Sequence, residues 1–155
     1  MKNNTIIPAS VLLLAGLFLF AQNSWASDAS RAELPNIVIV FTDDQGWGDL
    51  SCYGSKDIPT PHIDRLANEG MRFTDFYTSQ PVCSAARASL LTGCYSNRVG
   101  ISGALVPSSK IGLHPEELTI AEVVKPLGYA TACYGKWHLG HHPEFLPTAR
   151  GFADY

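Results

Sequence analysis

The chain has 155 residues, 46% of them apolar, with a formal charge of −3 and four cysteines. That apolar share belongs to a globular chain rather than a disordered one, and mild acidity without a basic patch excludes a nucleic-acid binder. An activity has to be read from motifs instead.

Lys2 precedes an apolar run at 6–21, interrupted only by Pro8, Ser10 and Gly16, and Ser24-Trp25-Ala26 puts small residues at positions −3 and −1 of a cleavage site. This pattern predicts a secretory signal peptide over residues 1–26. The alternative is an uncleaved anchor, for which the run is short, since a span needs roughly 20 residues. Residues 27–155 are then the mature part, periplasmic or secreted, with no stable membrane span after cleavage. Cys52, Cys83, Cys94 and Cys133 all fall there. An oxidising compartment permits disulfides, but the spacings lack a CxxC pattern and leave the pairing of Cys52, Cys94 and Cys133 open.

Asn36 to Phe41 contains five consecutive apolar residues, IVIVF, and predicts a strand buried on both faces, as in a parallel sheet. It ends at Thr42-Asp43-Asp44. Two adjacent carboxylates at such a strand end repel each other unless a cation or several donors compensate, so a cation site is favoured over a plain turn. Residues 46–58 read as loop. Thr60-Pro61 starts a helix that Gly70 stops, and 71–77 is a candidate extended piece. His62 and Asp64 sit in the first turn of that helix and carry no chemical role.

Cys83 stands at or beside the start of the next helix, with Arg87 four residues on and a Thr-Gly stop at 92–93. A helix N-terminus and a guanidinium on the same face both favour negative charge at position 83 and would attract an anionic substrate. By spacing alone, a buried or disulfide-bonded Cys83 beside a surface Arg87 explains the pattern equally well. Residues 94–115, rich in Gly and Pro, read as a long surface loop. Thr119 and Glu122 form a capping box, Leu118 and Val123 a hydrophobic staple, and Ile120, Val123, Val124 and Leu127 an apolar stripe that Pro126 ends. Tyr129–Tyr134 predicts a second strand, feeding Gly135-Lys136-Trp137-His138-Leu139-Gly140. In extended backbone Lys136 and His138 point the same way and, with Arg87, make an oxyanion pocket in which His138 can move a proton. His141 and His142 complete no metal-ligand pattern. The strand–helix–strand order predicts an α/β fold with a central, mostly parallel sheet flanked by helices.

Four stretches, PNIVIVFTDDQGWGDLSCYG, TPHIDRLANEG, PVCSAARASLLTG and GYATACYGKWHLG, occur in this order and resemble the N-terminal part of the type I sulfatases. These are the arylsulfatase A-like group of the alkaline-phosphatase-like superfamily. The resemblance implies that superfamily's sandwich, incomplete in this chain, over residues 27–155. It implies hydrolysis of sulfate esters. Cys83 resembles the cysteine that is oxidised to formylglycine within C-x-P/A-x-R, here Cys83 to Arg87, by a formylglycine-generating or anaerobic sulfatase-maturing enzyme. The hydrated aldehyde, a gem-diol, attacks sulfur with one hydroxyl, and the other drives release of sulfate, so the covalent ester carries its own exit. Asp43 and Asp44 look like ligands of a single Ca²⁺ that the modified Cys83 also faces. Arg87 resembles the residue holding the formylglycine hydroxyl, Lys136 a contact to sulfate and leaving group, and His138 a partner of the formylglycine hydroxyl. A sulfated glycan or a small sulfate ester is the implied substrate. Other readings are a phosphate or phosphonate ester hydrolase of the same superfamily, against which the cysteine argues, and an inactive or merely oxyanion-binding fragment.

Two positions depart from the family pattern. Ala85 stands where most members have proline, which leaves open the maturing enzyme that acts here, and Cys94 stands where arginine is common. The resemblance also implies further calcium ligands, a Lys and a His from a later stretch, so the chain is expected to be a truncated portion with little activity alone.

Overall fold

A computed structural model describes residues 34–155. The expected signal peptide lies outside the described residues. The chain divides into two units, residues 1–41 and 42–155. Among the described residues, no helix is long and apolar enough to cross a membrane.

Of the first unit, residues 34–41 are described, and they form no strand. The IVIVF run is instead open to solvent, with Val38 83% and Val40 86% exposed. The second unit is built on short helices: α1 (Pro61–Glu69), α2 (Cys83–Thr92) and α3 (Ile120–Val124). Single turns of 3₁₀ helix lie at Trp47–Asp49, Ser51–Tyr53, Lys125–Leu127, Pro143–Phe145 and Pro147–Ala149.

The expected α/β sandwich with a central parallel sheet is therefore not what the chain forms. Among the described residues there is no sheet, and the run at 129–134 contributes one isolated parallel bridge, Ala132 to Asp154. A strand buried on both faces must pair its N–H and C=O groups with a neighbour along each edge. An apolar, β-branched run meets the side-chain requirement for such a strand but does not supply the ladder. Residues 71–77 also form no strand, although Tyr53 Oη donates to the Phe73 carbonyl at 2.8 Å and the Arg72 guanidinium lies 5.7 Å from the Tyr53 ring centre.

Helix boundaries follow local chemistry more closely. Pro61 opens α1, where its missing N–H costs nothing, and Gly70 closes it. Thr60 occupies the cap position without capping: its hydroxyl donates to Asp64 at 3.0 Å and accepts from the Ser51 N–H at 3.0 Å. Gly93 ends α2 in the left-handed region, φ 69°. The capping box of α3 forms in full, with the Glu122 N–H donating to Thr119 Oγ1 at 3.2 Å and the Thr119 N–H to Glu122 Oε2 at 2.7 Å. Its predicted stripe is not the buried face, since Val123, Leu127 and the staple residue Leu118 are all more than half exposed and Ala121 is the buried residue.

The core lies elsewhere. Ala85 and Ala88 of α2 pack with Val99, Ile101, Leu105, Leu113, Trp137 and Leu139, with Leu91, Cys94, Cys133 and Phe152 against the margin. Four of the buried residues, Val99, Ile101, Leu105 and Leu113, come from the 94–115 segment, which is therefore core lining rather than a surface loop. The Trp137 indole N–H donates to the Phe145 carbonyl at 2.7 Å and its ring meets Phe152 edge-on. That close packing explains Gly140: at φ 123°, a Cβ there would stand 2.6 Å from the Phe145 Cβ.

A C-terminal strap closes the unit. The Arg150 side chain is buried, donating to the Glu117 carbonyl and pairing with Glu122 Oε2 at 3.3 Å. Thr119 Oγ1 donates to the Arg150 carbonyl at 2.9 Å, and the N–H groups of Cys133 and Ala153 bond to Asp154 and Thr131 carbonyls at 3.0 and 2.8 Å. Thr119 therefore serves the α3 cap and the strap together. Thr119→Ala should lower stability by about 1–2 kcal/mol, the upper part of the range for a lost cap. The urea midpoint should fall, whereas Thr119→Ser, which keeps the hydroxyl, should recover most of the loss.

Candidate active site

Helix α2 begins at Cys83, with Val82 as its extended N-cap. Cys83 is half-buried, and Ser84, Ala85, Arg87 and Ala88 are buried. Apolar anchoring by the two alanines holds the helix against the core, and Arg87 leaves it one turn after Cys83. Its Nη1 donates to the Lys136 carbonyl at 2.5 Å and its Nη2 to Asp43 Oδ1 at 3.4 Å. The Lys136 ammonium donates to the other oxygen of the same carboxylate, Asp43 Oδ2, at 2.7 Å. Asp43, Arg87 and Lys136, far apart in the chain, thus share one ionic cluster. The Arg87 side chain is 11% exposed, while those of Asp43 and Lys136 are each 42% exposed.

The charges tune one another. The Lys136 hydrogen bond first, and then the Lys136 charge and the Arg87 hydrogen bond and charge, hold the Asp43 carboxyl below its ordinary range; burial, second in size only to the Lys136 hydrogen bond, opposes them. Lys136 is raised, first by its bond to Asp43 and further by the Asp43 charge, against the opposing effects of burial and the Arg87 charge. Cys133 is pushed up by burial, with the Arg87 charge pulling the other way.

His138 goes to a different partner. Its backbone is left-handed, φ 60°, so Lys136 and His138 do not lie in one extended segment. Nε2 is 2.6 Å from the Leu105 carbonyl oxygen. A carbonyl can only accept, so Nε2 carries a proton. Nδ1 is buried and has no hydrogen-bond partner among the described residues. Leu105 is fixed in turn by its N–H, which donates to Ser84 Oγ on α2 at 3.0 Å. The Ser84–Leu105 brace escapes sequence reasoning because neither residue carries a local signal. A cavity of about 260 Å³ opens beside Lys136 and His138, lined further by Trp137, His141, Leu146 and Tyr155.

Asp44 is also left-handed, φ 56°, and makes no ion pair among the described residues. Asp43, Asp44 and Cys83 are the part of a calcium shell expected in this stretch, the remaining ligands being expected from a later one. Ca²⁺ takes six to eight oxygen ligands. Here two carboxylates are at hand, one with a cation on each oxygen, and among the described residues no group of three or more His, Cys, Asp or Glu side chains could hold a metal ion. The four cysteines are all free thiols.

The sulfatase family model matches residues 35–155. The chain belongs to the sulfatase family. This sulfatase chain is 52% identical over 130 residues to arylsulfatase A of Homo sapiens, covering 82% of itself and 26% of that protein. To arylsulfatase G of Mus musculus it is 44% identical over 144 residues, covering 93% of itself and 27% of that protein. Among solved structures it resembles the PsFucS1 sulfatase from Pseudoalteromonas sp., with 38% identity and a TM-score of 0.68 over 84% of this chain and 26% of that one. It spans about a quarter of the length of the relatives it matches.

The ionic cluster has a defined pH window. A depressed Asp43 contributes stability above the unfolded carboxyl value of about 3.9, lost as pH falls through the lower folded value. A raised Lys136 contributes below about 10.4, lost as pH rises through the higher folded value. The difference in melting temperature between the parent and Asp43→Asn should therefore be flat between about pH 5 and 9 and close in stronger acid and in alkali above about pH 10.5. A difference that peaked near neutrality and vanished by pH 8 would contradict this pairing.

Proposed function

We propose that this sulfatase-family chain carries the nucleophile and part of the anion site of a sulfate-ester hydrolase. In the proposed reaction, the ester S–O bond breaks, the alcohol or phenol leaves with a proton, and water supplies the oxygen that ends on sulfate. The observation that carries the reading is Cys83 at the start of α2, one turn before the buried Arg87, whose guanidinium shares the Asp43 carboxylate with Lys136. A maturing enzyme converts Cys83 to formylglycine, whose aldehyde carbon supplies the nucleophilic oxygen once hydrated.

The chain's own residues have separable tasks. Arg87, buried and braced on the Lys136 carbonyl, offers a fixed guanidinium beside position 83. Lys136, on a longer and more exposed stem, is the mobile cation that meets a sulfate oxygen and the leaving group. His138, held by Nε2 on the Leu105 carbonyl, is the partner of the formylglycine hydroxyl. Asp43 and Asp44 are the carboxylates that face a Ca²⁺, whose shell these side chains do not complete; when bound, such an ion polarises the ester. The chain is exported after removal of residues 1–26, and a sulfated glycan is the favoured substrate class. A second reading, binding of the oxyanion without turnover, is favoured by the incomplete metal shell alone.

Peptide mass spectrometry across Cys83, on chain made alongside a formylglycine-generating enzyme, should find an aldehyde in place of the thiol. Any form that hydrolyses a sulfate ester should lose turnover by several orders of magnitude on Cys83→Ala, with the fold kept. An unmodified thiol in a form that turns over, or full activity of Cys83→Ala, would sink the reading.

A further inference from the structure

The cavity of about 260 Å³ beside Lys136 is lined by a cation, by carbon surface and by neutral polar groups. The cation belongs to a cluster in which Arg87 and Lys136 share one carboxylate, Asp43, so positive charge is in surplus and suits an anion. Trp137, Leu146 and Pro147 supply the carbon. Trp137 is buried and its indole N–H is spent on the Phe145 carbonyl at 2.7 Å, so it offers a ligand no donor. Leu146 joins the 3₁₀ turns at Pro143–Phe145 and Pro147–Ala149. Phe145 and Pro147 on either side of it are buried, yet Leu146 stays 37% exposed where it lines the cavity. His141 and Tyr155 add an imidazole and a phenol. Tyr155 Oη donates to the Gly135 carbonyl at 3.3 Å and keeps its lone pairs for an incoming hydroxyl.

We infer that this cavity holds the one sugar ring that carries the sulfate, with His141, Leu146 and Tyr155 selecting the ring while Lys136 meets the sulfate. The inference rests on the reading of the chain as part of a sulfate-ester hydrolase, and it narrows the substrate to a single ring at this place. Size sets the limit: pockets for drug-sized ligands run from about 300 to 1,000 Å³, and this one falls below that range. Chemistry sets the kind. A pyranose has a face of C–H groups and a rim of hydroxyls. Its face packs on Leu146 and Pro147, and its rim bonds to His141 and to Tyr155 Oη. A bare aryl ring covers the same carbon surface but forgoes both polar contacts, so it gains only part of what the lining offers.

Calorimetric titration of the full chain tests this with methyl sulfate, nitrophenyl sulfate, and the monosulfates of glucose and galactose as probes. At least one hexose monosulfate should bind about tenfold tighter than methyl sulfate, the scale of one or two hydrogen bonds, and tighter than nitrophenyl sulfate. Leu146→Ser and Tyr155→Phe should each cut the hexose-to-methyl ratio severalfold. Leu146 is 37% and Tyr155 55% exposed, so neither change unpacks the core. A ratio near one in the parent, or a tenfold ratio that survives both substitutions, would overturn the sugar site. Nitrophenyl sulfate binding as tightly as the best hexose monosulfate would overturn the choice of a sugar. Lys136→Met separates this inference from the reading beneath it. If it weakens every probe alike while the parent ratio is near one, the sulfate contact stands and the sugar site falls. If hexose monosulfates bind regardless of Lys136→Met, the sulfate contact falls and the inference with it.

Discussion

The two hydrogen bonds of the Arg87 guanidinium hold the candidate site together. One arm fixes the backbone at Lys136 and the other steadies Asp43, so a single side chain on α2 sets the distance between segments 44 and 49 residues away in sequence. Burial makes the guanidinium effective: at 11% exposure it is shielded from competing water, and its planar fork can serve two acceptors at once. Lysine in its place could offer a charge but not two directed donors at that separation. Everything else at the site is arranged around this fixed point. Lys136 is delivered by the backbone that Arg87 grips, and Asp43 is oriented by the contact it shares with both.

A second brace works in parallel through neutral groups. Ser84, adjacent to Cys83 and buried, accepts the Leu105 N–H, and the Leu105 carbonyl takes the Nε2 proton of His138. The start of α2 thus orients the ring of a histidine more than fifty residues away through one backbone unit. Buried hydrogen bonds of this kind contribute modestly to stability, roughly 1 kcal/mol each, but leaving one partner unsatisfied costs more. Their main effect here is to fix the orientation of the imidazole, with Nε2 on the Leu105 carbonyl. The strap from Arg150 to Asp154 supports the same region from the other side, pairing with Thr131 and Cys133 just before the Gly135–Gly140 turn.

What could be read from the sequence was local, and what could not depended on distance along the chain. The Thr119–Glu122 capping box, the Pro61 start and the Gly93 stop are decided within one helical turn, and the structure has them where their spacing puts them. The sheet failed because the apolar runs at 36–41 and 129–134 state only what their side chains prefer, whereas a ladder depends on partners no run contains. The 94–115 segment misled in the opposite sense. Val99, Ile101, Leu105 and Leu113 reach the core with no regular period, carried by turns that expose Gly and Pro and so imitate a surface loop. At the site, Cys83, Arg87, Lys136 and His138 stood out as residue types between recognisable punctuation. The Asp43–Lys136 pair did not, because two carboxylates in a row point to a metal before they point to a lysine 93 residues later.

The exposed run at Ile37–Phe41 has a consequence for the behaviour of the chain in solution. Five β-branched or aromatic apolar residues stand together with no charge and no proline among them, and Val38 and Val40 are more than four-fifths exposed. Short segments of that composition are templates for cross-β stacking between chains, and natural proteins guard them with charges or prolines at the flanks. Here the guards are Pro35 on one side and the Asp43–Asp44 pair on the other. With Asp43 matched by Arg87 and Lys136, the guarding charge on that side falls to Asp44, which makes no ion pair among the described residues, so acid that protonates Asp44 should promote association of the chain through this run.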